Sequence, residues 1–127
     1  MNYPEHLVYS AAHLWVNCDD NTAVLGVTED LQEDVEDLAS IDLPLVGDEL
    51  EIDAFCVVLH HGEEQQLDLP CPLTGRVIAV NERLATEPEQ LFVAPYGDGW
   101  LFKMEFDEPE ELEMLMTAEE YTYEHDA

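Results

Sequence analysis

The residues best suited to chemistry in this chain are two adjacent histidines, His60 and His61, and three cysteines, Cys18, Cys56 and Cys71. Imidazoles bind metals and move protons near neutral pH, and thiolates join them as zinc ligands. Spacing limits what they can do together. On a strand, His60 and His61 point to opposite faces, so one metal takes both only if the chain turns between them. Cys56 and His60 fall on one face but roughly 13 Å apart, at about 3.3 Å per residue, too far for one zinc. Cys71, brought across a hairpin, is the thiol that keeps a site of His60, Cys56 and Cys71 open. No CxxC spacing supports a zinc knuckle, and an odd cysteine count argues against a disulfide framework. In apolar strand surroundings Cys56 and Cys71 read more simply as small core residues. No Ser-His-Asp order, glycine-rich phosphate loop or metalloprotease motif is present. With 31 acidic residues in the chain, a neighbouring pair of carboxylates carries little information. No catalytic constellation emerges, and the chain reads as a non-enzyme.

These residues need a scaffold, and 127 residues with 46% hydrophobic content suffice for one folded domain. The core is expected over about residues 7–121, with a frayed tail at 122–127. No apolar run is long enough to span a bilayer. The opening Met1-Asn2-Tyr3-Pro4-Glu5-His6 lacks the basic segment and apolar core of a signal peptide, so a cytoplasmic protein is expected. The 31 acids face one lysine, Lys103, and two arginines, Arg76 and Arg83, for a formal net charge of -28. Such a surface repels nucleic-acid phosphates and anionic lipid and favours basic protein surfaces. Because the acids are spread along the whole chain, a solubility coat outweighs a steering role.

Tyr9 to Val16 and Ala23 to Val27 read as two strands joined by the turn-forming Asn17-Cys18-Asp19-Asp20-Asn21. Thr28 is placed to cap a short helix from Glu29 to Val35, with Leu31, Val35 and Leu38 on one face. Ser40 to Pro44 reads as a strand ended by proline, and Val46 to Leu50 as a turn entering another. Phe55 to Pro72 forms a hairpin with a polar tip around Gly62. Leu73-Thr74-Gly75 turns into a strand to Val80, and short helical turns follow at Asn81 to Leu84 and Pro88 to Phe92. After Tyr96-Gly97-Asp98-Gly99, the strand Trp100 to Phe106 places Trp100, Phe102, Met104 and Phe106 opposite Leu101, Lys103 and Glu105. A C-terminal helix is expected from an Asp107 N-cap, with Pro109 in its first turn and Leu112, Leu115 and Met116 as its stripe. Glu108, Glu110, Glu111 and Glu113 would be its solvated face. A faint echo between Leu43 to Leu50 and Pro70 to Val77 suggests two related β halves.

In this order the segments resemble a known family. Tyr9-Ser10-Ala11-Ala12-His13-Leu14-Trp15-Val16 is similar to the opening Tyr-x-x-x-His-x-Trp-Val of glycine cleavage H-proteins. Ala23 to Thr28 resembles their next strand with its Gly-Ile-Thr ending, and Leu43 to Glu49 their Leu-Pro-x-Val-Gly-x-x. Pro72-Leu73-Thr74-Gly75, Val80-Asn81-Glu82 and Pro95-Tyr96-Gly97-Asp98-Gly99-Trp100-Leu101 look like further family segments. Ala118-Glu119-Glu120-Tyr121 agrees with the closing helix. The resemblance runs in register from Tyr9 to Tyr121. It implies a mainly β, lipoyl/biotinyl-domain-like flattened barrel or sandwich (a barrel-sandwich hybrid), with a short helix in the N-terminal half and a C-terminal helix.

Family members carry a lysine at the hairpin tip, in a Glu-Ser-Val-Lys-Ala segment. Its amide-linked lipoate shuttles an aminomethyl group between the enzymes of glycine cleavage. Here the tip reads Leu59-His60-His61-Gly62-Glu63-Glu64, with Gly62 at about the lysine position, in a hairpin about two residues longer than the family's. No shift of the alignment supplies the amine, because the one lysine, Lys103, lies in a strand. Lipoate and other cofactors are therefore not expected. With the resemblance, these residues imply a non-catalytic homologue that binds a protein, such as a glycine cleavage or lipoate-transfer enzyme, with His60, His61, Gly62, Glu63 and Glu64 as the candidate interaction site. Two alternatives stand beside it: a small-molecule or metal site at the His60-His61 hairpin, and an H-protein still serving glycine decarboxylation.

Overall fold

The computed structural model describes residues 4–35 and 37–126. Its first strands follow the expected alternation with one break. Instead of one strand from Tyr9 to Val16, the chain forms β1 (Val8–Tyr9) and β2 (Leu14–Asp19). Between them His13 takes a positive φ of 68°, and Ser10 N–H donates to the Leu14 carbonyl at 2.8 Å. This reversal lays β2 back on β1, with Tyr9 opposite Trp15. β2 then pairs with β3 (Thr22–Val27) around Asp20-Asn21, where the density of Asp and Asn predicts the turn. The capped helix expected after Thr28 is a 3-10 turn, Glu29–Asp34, and Thr28 makes no capping bond.

The chain continues through β4 (Leu38–Asp42), β5 (Glu49–Leu50), β6 (Phe55–His61), β7 (Gln65–Pro70) and β8 (Gly75–Val80). Two short helices, α1 (Arg83–Thr86) and α2 (Gln90–Val93), lead to β9 (Phe102–Phe106). The expected long C-terminal helix is divided. A 3-10 turn, Pro109–Met114, is followed by β10 (Met116–Thr117) and then α3 (Ala118–Asp126). Leu115 is extended, and Met116 and Thr117 pair with Tyr9 and Val8, so a sheet edge captures residues whose spacing alone suits a helix. Helix α3 also runs past Tyr123 to Asp126, through most of the segment expected to fray.

The strands form a seven-stranded sheet, ordered β10-β1-β2-β3-β9-β8-β5, and a three-stranded sheet, β4-β6-β7. The result is a mainly β flattened sandwich. Between the sheets lie Leu14, Val16, Leu25, Val57, Leu59, Leu69, Phe102 and Met104. The echoed segments of the two halves meet where β5 pairs with β8. Strand alternation sends Trp15 and Val24 to the opposite, outer face of the large sheet. There a second cluster of Leu7, Tyr9, Trp15, Ala118 and Tyr121 fixes α3 to the sandwich. Trp100 joins this outer cluster while Leu101 is buried in the main core. The expected alternation thus fails at these two residues, because β9 begins only at Phe102.

Burial carries the stability. Each fully buried Leu or Phe contributes about 1.5–3 kcal/mol of transfer free energy. The exposed Arg83–Glu87 pair (3.0 Å) is an i,i+4 contact worth about 0.3–0.5 kcal/mol. Among the described residues no helix is long and apolar enough to cross a membrane.

Two outcomes are expected. Gly26 has the Trp15 ring directly over its Cα, where a Cβ would collide with it, and the indole N–H donates to the Pro95 carbonyl at 2.9 Å. Gly26→Ala should therefore displace the indole and cost about 1–3 kcal/mol, read as a shift in tryptophan emission and a lower urea midpoint. The second outcome concerns alkaline pH. Burial raises the Tyr9 hydroxyl to about 12 and also lifts those of Tyr96 and Tyr121. A phenol kept neutral by the fold stabilises it fully below its ordinary pKa of about 10, and the contribution is lost as pH rises through the folded value. Thermal unfolding should show no tyrosine-linked change below pH 10 and a falling midpoint between pH 10 and about 12.

Candidate functional site

The hairpin expected to carry the site is β6–β7, with Gly62, Glu63 and Glu64 exposed at its tip. Gly62 (φ 58°) and Glu64 (φ 60°) both occupy the left-handed region, which closes the turn. The Gly62 N–H donates to the Asp37 carbonyl at 3.2 Å and anchors the tip to the segment before β4. His60 and His61 diverge, as adjacent strand residues must. His60 is half-buried on the outer side, its Nε2 2.7 Å from Oδ2 of Asp42 on the neighbouring β4. His61 is buried, and its Nδ1 has no hydrogen-bond partner among the described residues.

Cys56 and His60 do not share a face. Phe55 pairs with Pro70 and Val57 with Leu69, which leaves Cys56 as an extra residue in the register. That bulge shifts the alternation by one, so Cys56, Val57, Leu59 and His61 are all buried while His60 turns outward. Cys71 does arrive beside Cys56, held by Cys71 N–H to the Ala54 carbonyl (2.7 Å) and Asp53 N–H to the Cys71 carbonyl (2.8 Å). The neighbouring Cys56 thiol holds the Cys71 thiol below its ordinary range, against the effect of burial, and Cys71 Sγ donates to the Leu73 carbonyl at 3.0 Å. The neighbouring Cys71 and burial push Cys56 well above it, and Cys56 Sγ donates to the Leu69 carbonyl at 3.5 Å. The structure therefore gathers two of the three proposed metal ligands and separates the third. Among the described residues no three His, Cys, Asp or Glu side chains converge on one point.

Cys71 also lines a groove of about 460 Å³, with Tyr9, Ile52, Pro70, Pro72 and Met116 among its walls. Glu111, expected on a solvated face, is instead engaged with Thr74. Its carboxylate accepts from Thr74 N–H (2.7 Å) and from the Thr74 hydroxyl (2.8 Å). Lys103 lies in β9 between Val24 of β3 and Ala79 of β8, on the other sheet from the hairpin.

Sequence reasoning missed two organising polar residues. The Tyr121 hydroxyl sits 2.7 Å from His13 Nδ1 and 2.8 Å from the Thr28 hydroxyl. Asn81 is buried and donates through Nδ2 to the carbonyls of Asp98 (2.8 Å) and Trp100 (2.7 Å). Both lie in segments whose pattern suggests only a helix end or a turn. Their partners, distant in sequence, give no periodic signal.

The unpartnered His61 nitrogen generates a prediction. A buried polar atom without a partner costs about 1–3 kcal/mol, so His61→Leu should raise the urea midpoint by the equivalent of about 1 kcal/mol. A lower midpoint would mean that the imidazole is satisfied in solution.

With this geometry in view, the chain can be compared with known proteins. The family model for the glycine cleavage H-protein matches residues 7–126. A glycine cleavage system H protein of Psychrobacter sp. (strain PRwf-1) is 38% identical over 124 residues, covering 97% of this chain and 98% of that protein. The same-named protein of Methylacidiphilum infernorum is 37% identical over 121 residues, covering 95% and 94%. The crystal structure of a glycine cleavage system H protein from Mycobacterium marinum superposes with a TM-score of 0.84 at 26% identity, covering 98% of this chain and all of that one. Sequence and fold agree over nearly the whole length, and the chain belongs to the glycine cleavage H-protein family.

Proposed function

We propose that this chain is an H-protein homologue that carries no lipoate and acts by binding a protein partner through the β6–β7 hairpin. The observation that supports this reading is the composition of the tip: His60, His61, Gly62, Glu63 and Glu64, with no primary amine. Lipoylation needs a lysine amine on an exposed turn, where a ligase can reach it and the arm can swing. Lys103, the one lysine, is flanked by hydrogen-bonded strands on both sides.

The tip is suited to recognition rather than chemistry. Gly62, Glu63 and Glu64 are exposed on a turn fixed from below, so little conformational entropy is lost on docking. Glu63 and Glu64 add negative charge to a protein of net charge -28, which favours a basic docking surface. An enzyme of glycine cleavage or of lipoate transfer that recognises the H-protein scaffold is the partner this reading favours, in the cytoplasm.

A second reading is that the chain still serves glycine cleavage, and the family match over residues 7–126 favours it. Two experiments separate these readings. After incubation with a lipoate ligase, ATP and lipoate, the intact mass should be unchanged, and a gain of one lipoyl group would overturn the proposal. Restored growth on glycine in a strain lacking its own H-protein would support the second reading.

A further inference from the structure

The groove at the base of the hairpin has no part in the reading above. We propose that it docks an extended segment of a partner protein in which one apolar residue is flanked by lysines or arginines. The surface is separate from the tip. Pro70, on the groove wall, lies five residues along β7 from Gln65, roughly 17 Å at about 3.3 Å per residue.

Two hollows share one ridge. The groove of about 460 Å³ is walled by Tyr9, Ala12, Ile52, Cys71, Met114 and Met116. A shallower hollow of about 370 Å³ lies between Met116, Glu119, Glu120 and Tyr123. Met116 belongs to both, so they adjoin. Met114 is 73% exposed and Tyr123 79%, which leaves large apolar side chains in water beside an apolar groove. Unbranched Met114 and Met116 can adapt to an inserted side chain.

Charge decides what that side chain belongs to. The charged side chains on the two hollows are acids, the exposed Asp53 at the groove and the exposed Glu119 and Glu120 beyond the ridge. Arg76, Arg83 and Lys103, the chain's lysine and arginines, line neither hollow. Fatty acids and anionic lipid are therefore repelled, and so is a second copy of a chain with net charge -28. An apolar anchor with cations beside it satisfies floor and rim together.

The rim is also held in place. Glu120 Oε1 accepts from the Thr117 N–H at 3.0 Å, which keeps that carboxylate at the strand edge. Asp53, with a φ of 71°, donates its N–H to the Cys71 carbonyl at 2.8 Å. Strand β10 ends the seven-stranded sheet, and among the described residues nothing pairs with its outer edge, so an extended segment can lie along it.

The probe is the blocked peptide acetyl-Lys-Lys-Leu-Lys-Lys-amide, titrated into the isotope-labelled full chain at about 0.15 M salt and followed by amide shifts. Shifts should concentrate at Ala12, Ile52, Met116 and Glu119. Replacing the peptide's leucine by glycine should weaken binding about tenfold. Met114→Ser should weaken it about threefold, and Asp53→Asn and Glu119→Gln about twofold each. These changes fall on exposed side chains, and asparagine tolerates the left-handed backbone of position 53. Glu63→Gln at the hairpin tip should leave the affinity unchanged. Equal binding of the glycine peptide, shifts spread over the acidic surface, equal weakening by Glu63→Gln, or no binding would overturn the proposal. So would a dimer in sedimentation that Met114→Ser abolishes, because it would assign the groove to a second copy.

Discussion

The hydroxyl of Tyr121 ties the C-terminal helix to two other parts of the chain. It comes from α3, sits against His13 in the turn between β1 and β2, and meets Thr28 at the end of β3. Its ring stacks on Tyr9, with centroids 4.8 Å apart. Without this contact α3 would be a nine-residue helix, too short to persist alone in water, with a weakly apolar face. Docked, it covers the outer face of the large sheet, where alternation has placed Trp15 and Val24. It also explains why Thr28 caps nothing: its oxygen is engaged with Tyr121 rather than with the turn that follows. The positive φ of His13 is held by the same set of contacts, since its N–H, its carbonyl and its ring are all bonded.

On the opposite side of the molecule the three-stranded sheet presents the hairpin. Its tip is shaped by two left-handed residues and one backbone bond to Asp37, so it is a presented turn rather than a loose loop. The base of the hairpin is less regular. There Cys56 forms a bulge in β6, and Cys71 with its flanking prolines lines the groove. The scaffold thus carries two separate features: an exposed acidic turn at the tip, and two buried cysteines, Cys56 and Cys71, at the base. The acidic coat is compatible with both, because the core rather than charge pairing holds the sheets together.

Much of this was legible in the sequence because strand alternation and turn chemistry are local. The β2–β3 turn, the β6–β7 hairpin with Gly62 at its tip, the short helices near Leu84 and Leu91 and the inward Phe102, Met104 and Phe106 all follow from residues a few positions apart. The identity of the tip residues, and the lack of any lysine among them, is a property of sequence alone. Other features were decided by partners remote in the chain. Met116 and Thr117 became a strand because β1 offered an unpaired edge, and Leu101 went inward because β9 starts one residue later. Cys56 left the face of His60 because one residue in β6 has no counterpart in β7, which no periodicity of β6 itself records. Local spacing determines which faces a segment can offer. Only the register with its neighbours, set when the sheets close, decides which face is used.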